Sequence, residues 1–295
     1  MPWTQVTLNC NEADADRVSA ALTLCGALSV TYQNTRSSDV LEPKPDDTPL
    51  WSSLSVTGLF DAAVDRDDVQ NALTHELPDA IASSLSISTL RDRVWERACL
   101  EGLEPMRFGR LWVYPSNQTP PEGDESVIVL DPGLAFGTGT HPTTAQCLEW
   151  LGEQPLVGLR VIDYGCGSGI LALAAVCLGA ASVIAVDYDP QALIATRENA
   201  KVNGFSDRIT TCLPEQLDNA PVDLVLANIL AGPLQELAPR FNKLVNTNGT
   251  VVISGLLAEA MNKTCACYQE FFTLTDTRSR DDWMCLSFQK RTTTE

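Results

Sequence analysis

Histidine occurs only twice in 295 residues, at His75 and His141. No C-x-x-C pair occurs among the ten cysteines, and Cys265 and Cys267 stand one residue apart. That spacing suits neither a zinc site nor a simple bridge, so no metal centre is expected. Scattered single cysteines read as reduced thiols of a cytosolic protein. Cations are scarce as well: 20 Lys and Arg face 38 Asp and Glu, a formal net charge of −18. A nucleic-acid binder needs a basic stripe, so no direct nucleic-acid binding is expected, and long-range attraction favours a basic partner. No basic, apolar leader opens the chain; Trp3 to Leu8 alternates instead. The apolar run Ile170 to Val186 falls just short of a membrane span and is interrupted by Gly179, which fits a helix followed by a buried strand. No membrane association and a cytoplasmic location are therefore expected. What is plentiful is apolar matter, 44% of residues, over a length that allows two domains with full cores.

The chain is organised around Val161 to Ala172, V-I-D-Y-G-C-G-S-G-I-L-A. A strand ending in glycines and turning into a helix delivers bare backbone N–H groups to a ligand. The dinucleotide fingerprint G-x-G-x-x-G requires a glycine where Ile170 stands, so a nicotinamide-dependent oxidoreductase is the weaker alternative. The pattern here is Gly165-x-Gly167-x-Gly169, with Asp163 two residues before it. A second acid, Asp187, ends the next apolar run, where it can accept both hydroxyls of a ribose.

These stretches, with D-P-G-L-A-F-G-T-G-T-H-P-T-T upstream (Asp131 to Thr144), A-N-I-L-A-G-P-L downstream (Ala227 to Leu234) and the opening M-P-W, resemble the PrmA-like family. That family belongs to the class I S-adenosylmethionine-dependent methyltransferases and methylates ribosomal protein L-eleven of the large subunit. The resemblance covers essentially the whole chain. It implies S-adenosyl-L-methionine as cofactor, the ribosomal protein as partner, and a cofactor contact at Thr144. A non-catalytic cofactor-binding protein of ribosome assembly is the remaining alternative.

Alternation and turn residues divide the chain. Residues 1–90 read as βαββαβ, a small α+β ferredoxin-like domain without a catalytic constellation, hence a candidate substrate reader. Residues 91–125 read as a linking helix, Arg91 to Leu103, a strand from Arg107 to Tyr114 and a loop. Residues 126–295 alternate strands and helices: an α/β, Rossmann-like sheet of seven strands, its last two antiparallel so that one is reversed. Within it, Val251 to Ser254 reads as strand five and Leu256 to Tyr268 as a helix. A monomer is expected.

In open α/β sheets ligands lie beyond the carboxyl ends of the strands, where Asp163, Gly165, Gly167, Gly169, Asp187 and Asn228 converge. The glycines would pass under the amino-acid part of the cofactor. Asn228 would also act in catalysis. Amino-group methyltransferases usually read N-P-P and an aromatic residue at this place, whereas here it reads Asn228-Ile229-Leu230-Ala231. The asparagine can hold an amine, and losing the aromatic favours a thin lysine tail over a nucleobase or a glutamine amide. The glycine- and threonine-rich segment before Thr144 can exclude water. Cys166 reads as a small filler, and His141, with no partner acid identifiable, as a loop anchor and not a base.

Overall fold

The computed structural model describes residues 2–35, 50–90, 104–121, 123, 126–131 and 137–292. The expected linking helix over 91–103, most of the proline-containing loop over 34–50 and residues 132–136 lie outside them. The chain forms two compact units, Met1–Val94 and Trp95–Glu295.

The first unit contains strands β1 (Trp3–Cys10), β2 (Ser29–Asn34), β3 (Leu54–Asp61) and β4 (Ser86–Leu90), in the order β2-β3-β1-β4 with every neighbour antiparallel. Strict alternation puts Thr4, Val6 and Leu8 of β1, and Leu54, Val56 and Phe60 of β3, on one buried face. Helix α1 (Ala15–Leu24) covers that face with Val18, Ala21 and Leu22, and α2 (Arg66–Glu76) adds Val69 and Leu73. Asn11 accepts the Asp14 N–H ahead of α1, and Asp65 accepts those of Asp67 and Asp68 to cap α2. A short helical turn, α3 (Asp79–Ala82), precedes β4. This is the ferredoxin-like arrangement.

The second unit opens on a small sheet of β5 (Met106–Phe108), β6 (Leu111–Pro115) and β7 (Ser126–Leu130). Sequence periodicity favours a single strand over 107–114. The chain instead folds back at Gly109, whose φ of +61° lets a two-residue turn pair Phe108 with Leu111. Helix α4 (Pro142–Glu153) follows, with proline at its first position.

The main sheet then runs β8 (Arg160–Tyr164), α5 (Ile170–Cys177), β9 (Ser182–Val186), α6 (Pro190–Val202), β10 (Ile209–Cys212), β11 (Val222–Asn228), α7 (Ala231–Leu244), β12 (Val245–Leu257), α8 (Met261–Tyr268), β13 (Phe272–Arg280) and β14 (Trp283–Lys290). Its order is β10-β9-β8-β11-β12-β14-β13. All contacts from β10 to β12 are parallel, and β14 pairs antiparallel with both β12 and β13, so β14 alone is reversed. Neighbouring strand residues feed opposite cores. Val161, Leu224, Leu226 and Val252 pack with α4, α5 and α6, whereas Ile162, Val225, Ala227 and Ile253 pack with α7 and α8. Within the first of these layers α5 is apolar all round, with Ile170 to Val176 buried.

Strand five is longer than its sequence suggests. Leu256 and Leu257 do not start a helix; they pair with Met284 and Trp283 beyond a register shift at Gly255, and α8 begins only at Met261. Among the described residues no helix is long and apolar enough to cross a membrane.

Candidate active site

At the carboxyl end of β8 the chain makes three left-handed steps, with φ of +81° at Gly165, +53° at Gly167 and +81° at Gly169. Each has a different reason to lack a side chain. A Cβ on Gly165 would run into the Ile229 side chain, and one on Gly169 would lie 2.8 Å from Thr196 Cγ2. Gly167 faces the cavity, and its N–H donates to Asp187 Oδ2 at 3.0 Å. The turn hangs from β9: the N–H groups of Gly165 and Cys166 both donate to the Val186 carbonyl, at 2.7 and 3.0 Å. It is also held from behind. Asn199 Nδ2 donates to the Ser168 carbonyl, Thr196 Oγ1 to that of Gly167, and Ser168 Oγ to that of Gly137.

Asp163 lies under this turn and not on the cavity wall. It is fully buried, and Oδ2 accepts the Ala172 N–H at 3.0 Å, tying the strand end to the first turns of α5. Its Oδ1 is a buried oxygen without a hydrogen-bond partner among the described residues. Burial first, then the nearby Asp187 charge, pushes this carboxyl up to about 7 against the pull of the Ala172 N–H. The same surroundings push the Cys166 thiol up, so it stays protonated and inert, a filler as expected.

Asp187, beyond the end of β9, takes Gly167 N–H on Oδ2 and Asp189 N–H on Oδ1. A carboxylate has about four lone-pair sites, so two remain for a ligand. Asn228 ends β11 and donates from Nδ2 to Thr144 Oγ1 at 3.1 Å. Thr144, in the first turn of α4, is buried behind that amide. His141 caps α4: its Nδ1 lies 2.8 Å from Thr143 Oγ1 and 3.4 Å from the Thr143 N–H, and its ring meets Trp283 edge-on at 5.1 Å. Burial lowers its pKa, which keeps the ring neutral.

These groups border a cavity of about 690 Å3, within the usual range for small-molecule sites. Of the residues expected from sequence, Gly165, Gly167, Asp187 and Asn228 line it; Asp163, Gly169 and Thr144 support it from behind. Ile229 and Leu230, the residues in place of the usual prolines, also line it, as do Tyr164, Tyr188, Pro214, Gly255 and Trp283, which were not singled out in the sequence. Gly255 carried a signal, a lone glycine in a strand pattern. Its φ is +89°, and a Cβ there would strike the Ile229 carbonyl.

The family profile for ribosomal protein L11 methyltransferase (PrmA) matches residues 2–291. The chain belongs to that family. Proteins named ribosomal protein L11 methyltransferase from Salmonella arizonae and Escherichia coli are 47% and 46% identical to it over 99% and 98% of this chain and all of theirs. The solved ribosomal protein L11 methylase of Lactobacillus delbrueckii subsp. bulgaricus superposes with a TM-score of 0.59 at 32% identity, covering 64% of this chain and all of that one. The methyl donor of this family is S-adenosyl-L-methionine. The bare Gly167 backbone would leave room for its amino-acid part, and the two spare acceptor sites on Asp187 could take its ribose hydroxyls.

Proposed function

We propose that this cavity transfers methyl groups from S-adenosyl-L-methionine to lysine side-chain amines, and to an α-amine where one is presented, of ribosomal protein L11. The observation that carries the reading is Asn228 at the wall of the cavity that Gly167 and Asp187 also line, its amide tied on one side. Asp187 would hold the ribose hydroxyls, and Gly165 and Gly167 would leave room for the amino-acid part. Asn228 would hold the acceptor nitrogen and touch the cofactor beside it. When bound, the cofactor supplies a methyl group on a sulfonium that leaves as a neutral thioether with the bonding pair. The acceptor amine, neutral after losing a proton to water, forms the new bond with its lone pair, and the methylated ammonium gives up its surplus proton to water; a backbone carbonyl can hold an N–H of the amine by a hydrogen bond.

Free lysine has a pKa of about 10.4, so only about one side chain in a thousand is neutral at pH 7. Apolar walls such as Ile229, Leu230 and Trp283 disfavour the ammonium and raise that fraction. No side chain is needed as obligatory base. His141, neutral and engaged in capping α4, serves as the anchor of that helix. The first unit, with no catalytic constellation among its described residues, would read the substrate. A monomer acting in the cytoplasm on a basic protein, without direct contact to nucleic acid, suits the charge of −18.

The test is incubation of the purified protein with methyl-labelled S-adenosyl-L-methionine and purified L11. Label retained in L11 through acid precipitation supports the reading. Absence of label, with cofactor binding shown by calorimetry, leaves a cofactor-binding protein and removes the enzyme.

A further inference from the structure

Asn199, on α6, is buried and stands off the cavity wall. Its Nδ2 donates to the Ser168 carbonyl at 2.9 Å and to the Asp131 carbonyl at 2.8 Å, and its Oδ1 accepts the Asp131 N–H at 3.0 Å. Two carbonyls and one N–H around it admit only one orientation of the amide. A single side chain thus ties the exit of β7 to the glycine turn. Asn203, one helical turn on, makes the same kind of bond to β7: Oδ1 accepts the Val129 N–H at 2.8 Å, and Nδ2 donates to the Val129 carbonyl at 2.7 Å and the Asn199 carbonyl at 2.8 Å. Of the two amides, only that of Asn199 reaches the turn. The turn needs such a hold, because its left-handed glycines at 165, 167 and 169 carry no Cβ to fix their peptide planes. Thr196 Oγ1 takes the Gly167 carbonyl at 3.1 Å, and Asn199, three residues on along the same helix face, takes that of Ser168. Neither side chain lines the cavity, so both carbonyls are held on the side away from it.

We propose that Asn199 is a positioning residue of the cofactor site: by clasping the Ser168 carbonyl and both backbone groups of Asp131, its amide keeps the glycine turn in the arrangement that accepts the cofactor. This rests on the reading of the cavity as the S-adenosyl-L-methionine site. Without the clasp, peptide planes of the turn rotate, and a carbonyl oxygen enters the space beside Gly167 and Asp187. Only a fraction of the molecules is then competent to bind, and the apparent Kd rises by the inverse of that fraction. Saturating cofactor gathers the chain back into the competent arrangement, so the loss falls on cofactor affinity and not on the chemical step. An amide that merely joined α6 to β7 would change stability and leave that affinity alone. Asn203 is such an amide, in the same seam of the same chain.

The experiment compares Asn199→Asp and Asn203→Asp with the wild type in the full-length protein. Each substitution keeps the shape and the accepting oxygen and removes both N–H donors. Thermal unfolding sets a temperature at which all three proteins are folded. Calorimetry there gives the S-adenosyl-L-methionine affinity, and steady-state transfer to L11 gives kcat and the cofactor KM. The expected result for Asn199→Asp is a Kd and a cofactor KM raised at least about tenfold, with kcat at saturating cofactor within about twofold of wild type. Asn203→Asp should lower the melting temperature and keep the cofactor Kd within about twofold of wild type. A folded Asn199→Asp with wild-type affinity overturns the proposal. So does an equal loss of affinity in Asn203→Asp, which would trace the effect to the α6–β7 seam. A kcat that falls further than the affinity overturns it too, by placing Asn199 in the chemical step. If Asn199→Asp does not fold, Asn199→Ala replaces it under the same criteria. An Asp187→Ala variant that binds the cofactor as the wild type does overturns the reading of the cavity itself, whatever position 199 does.

Discussion

Asp187 spends one oxygen on Gly167 N–H and the other on Asp189 N–H, so the acid that would meet the ribose also fixes the turn beside it. Asp187→Ala is expected to weaken S-adenosyl-L-methionine binding by about 1.5–3 kcal/mol, the worth of a charged hydrogen-bond acceptor. Calorimetry on the folded variant checks this, and unchanged affinity would take Asp187 out of the ribose site. Gly167→Val should abolish binding with native-like circular dichroism, because it fills the cavity floor at a φ of +53°. Asp163 gives a prediction about pH. Its carboxyl rises from an ordinary 3.8 to about 7 in the fold, so the folded chain keeps a proton that the unfolded chain releases between those values. The stabilisation is complete below the unfolded pKa and is lost as pH climbs through the folded one. Unfolding free energy should thus fall from about pH 4 to 7 at up to about 1.4 kcal/mol per unit from this group. Asp163→Asn keeps an acceptor for Ala172 N–H and removes the titration. Urea midpoints at pH 5 and pH 8 should show the asparagine variant gaining on the wild type at the higher pH; a constant difference between the two proteins would refute the buried-proton account.

The cavity is built by the ends of β8, β11 and β12, the segments after β9 and β10, the starts of α4 and β14, and residues of α6 and α7, and the elements differ in how readably the sequence announces them. The glycine turn and Asp187 are local patterns, visible because one short stretch carries both the strand end and the helix start. Tyr164, Ile229 and Trp283 come from strands far apart in sequence, and only the order β8-β11-β12-β14 gathers them. Thr144, which the resemblance puts against the cofactor, takes the Nδ2 hydrogen of Asn228, a contact across 84 residues that no local pattern announces. The long β12 escaped the sequence because two leucines after a glycine look alike in a helix and in a bulged strand. That bulge is needed: Gly255→Ala must push a Cβ against the Ile229 carbonyl from a left-handed backbone. It is expected to lower both the melting temperature and cofactor affinity, read by thermal unfolding and calorimetry. A variant equal to wild type in both would show that the β12–Ile229 contact does not shape the site.

At the level of the whole molecule, the glycine turn, Asp187, Asn228 and the cavity they line belong to the unit from Trp95 onward, and the unit Met1–Val94 contributes a sheet and covering helices. A fragment beginning near Trp95 is expected to bind S-adenosyl-L-methionine with almost full affinity. It should lose most transfer to L11, since the binding energy that aligns the acceptor is gone. Transfer at full-length rates would show that the first unit does not select the substrate. The central claim, a lysine-directed methyl transfer at the Asn228 wall, meets its most direct test in mass mapping of L11 after reaction with labelled S-adenosyl-L-methionine and the full-length protein. The account predicts label on lysine Nζ atoms, and on the α-amine where it is accessible, all reduced about tenfold or more in initial rate with Asp187→Ala at cofactor concentrations well below the Kd of either protein. Label on a carboxylate, an arginine or a glutamine amide, or no label on a chain that binds the cofactor, would contradict it.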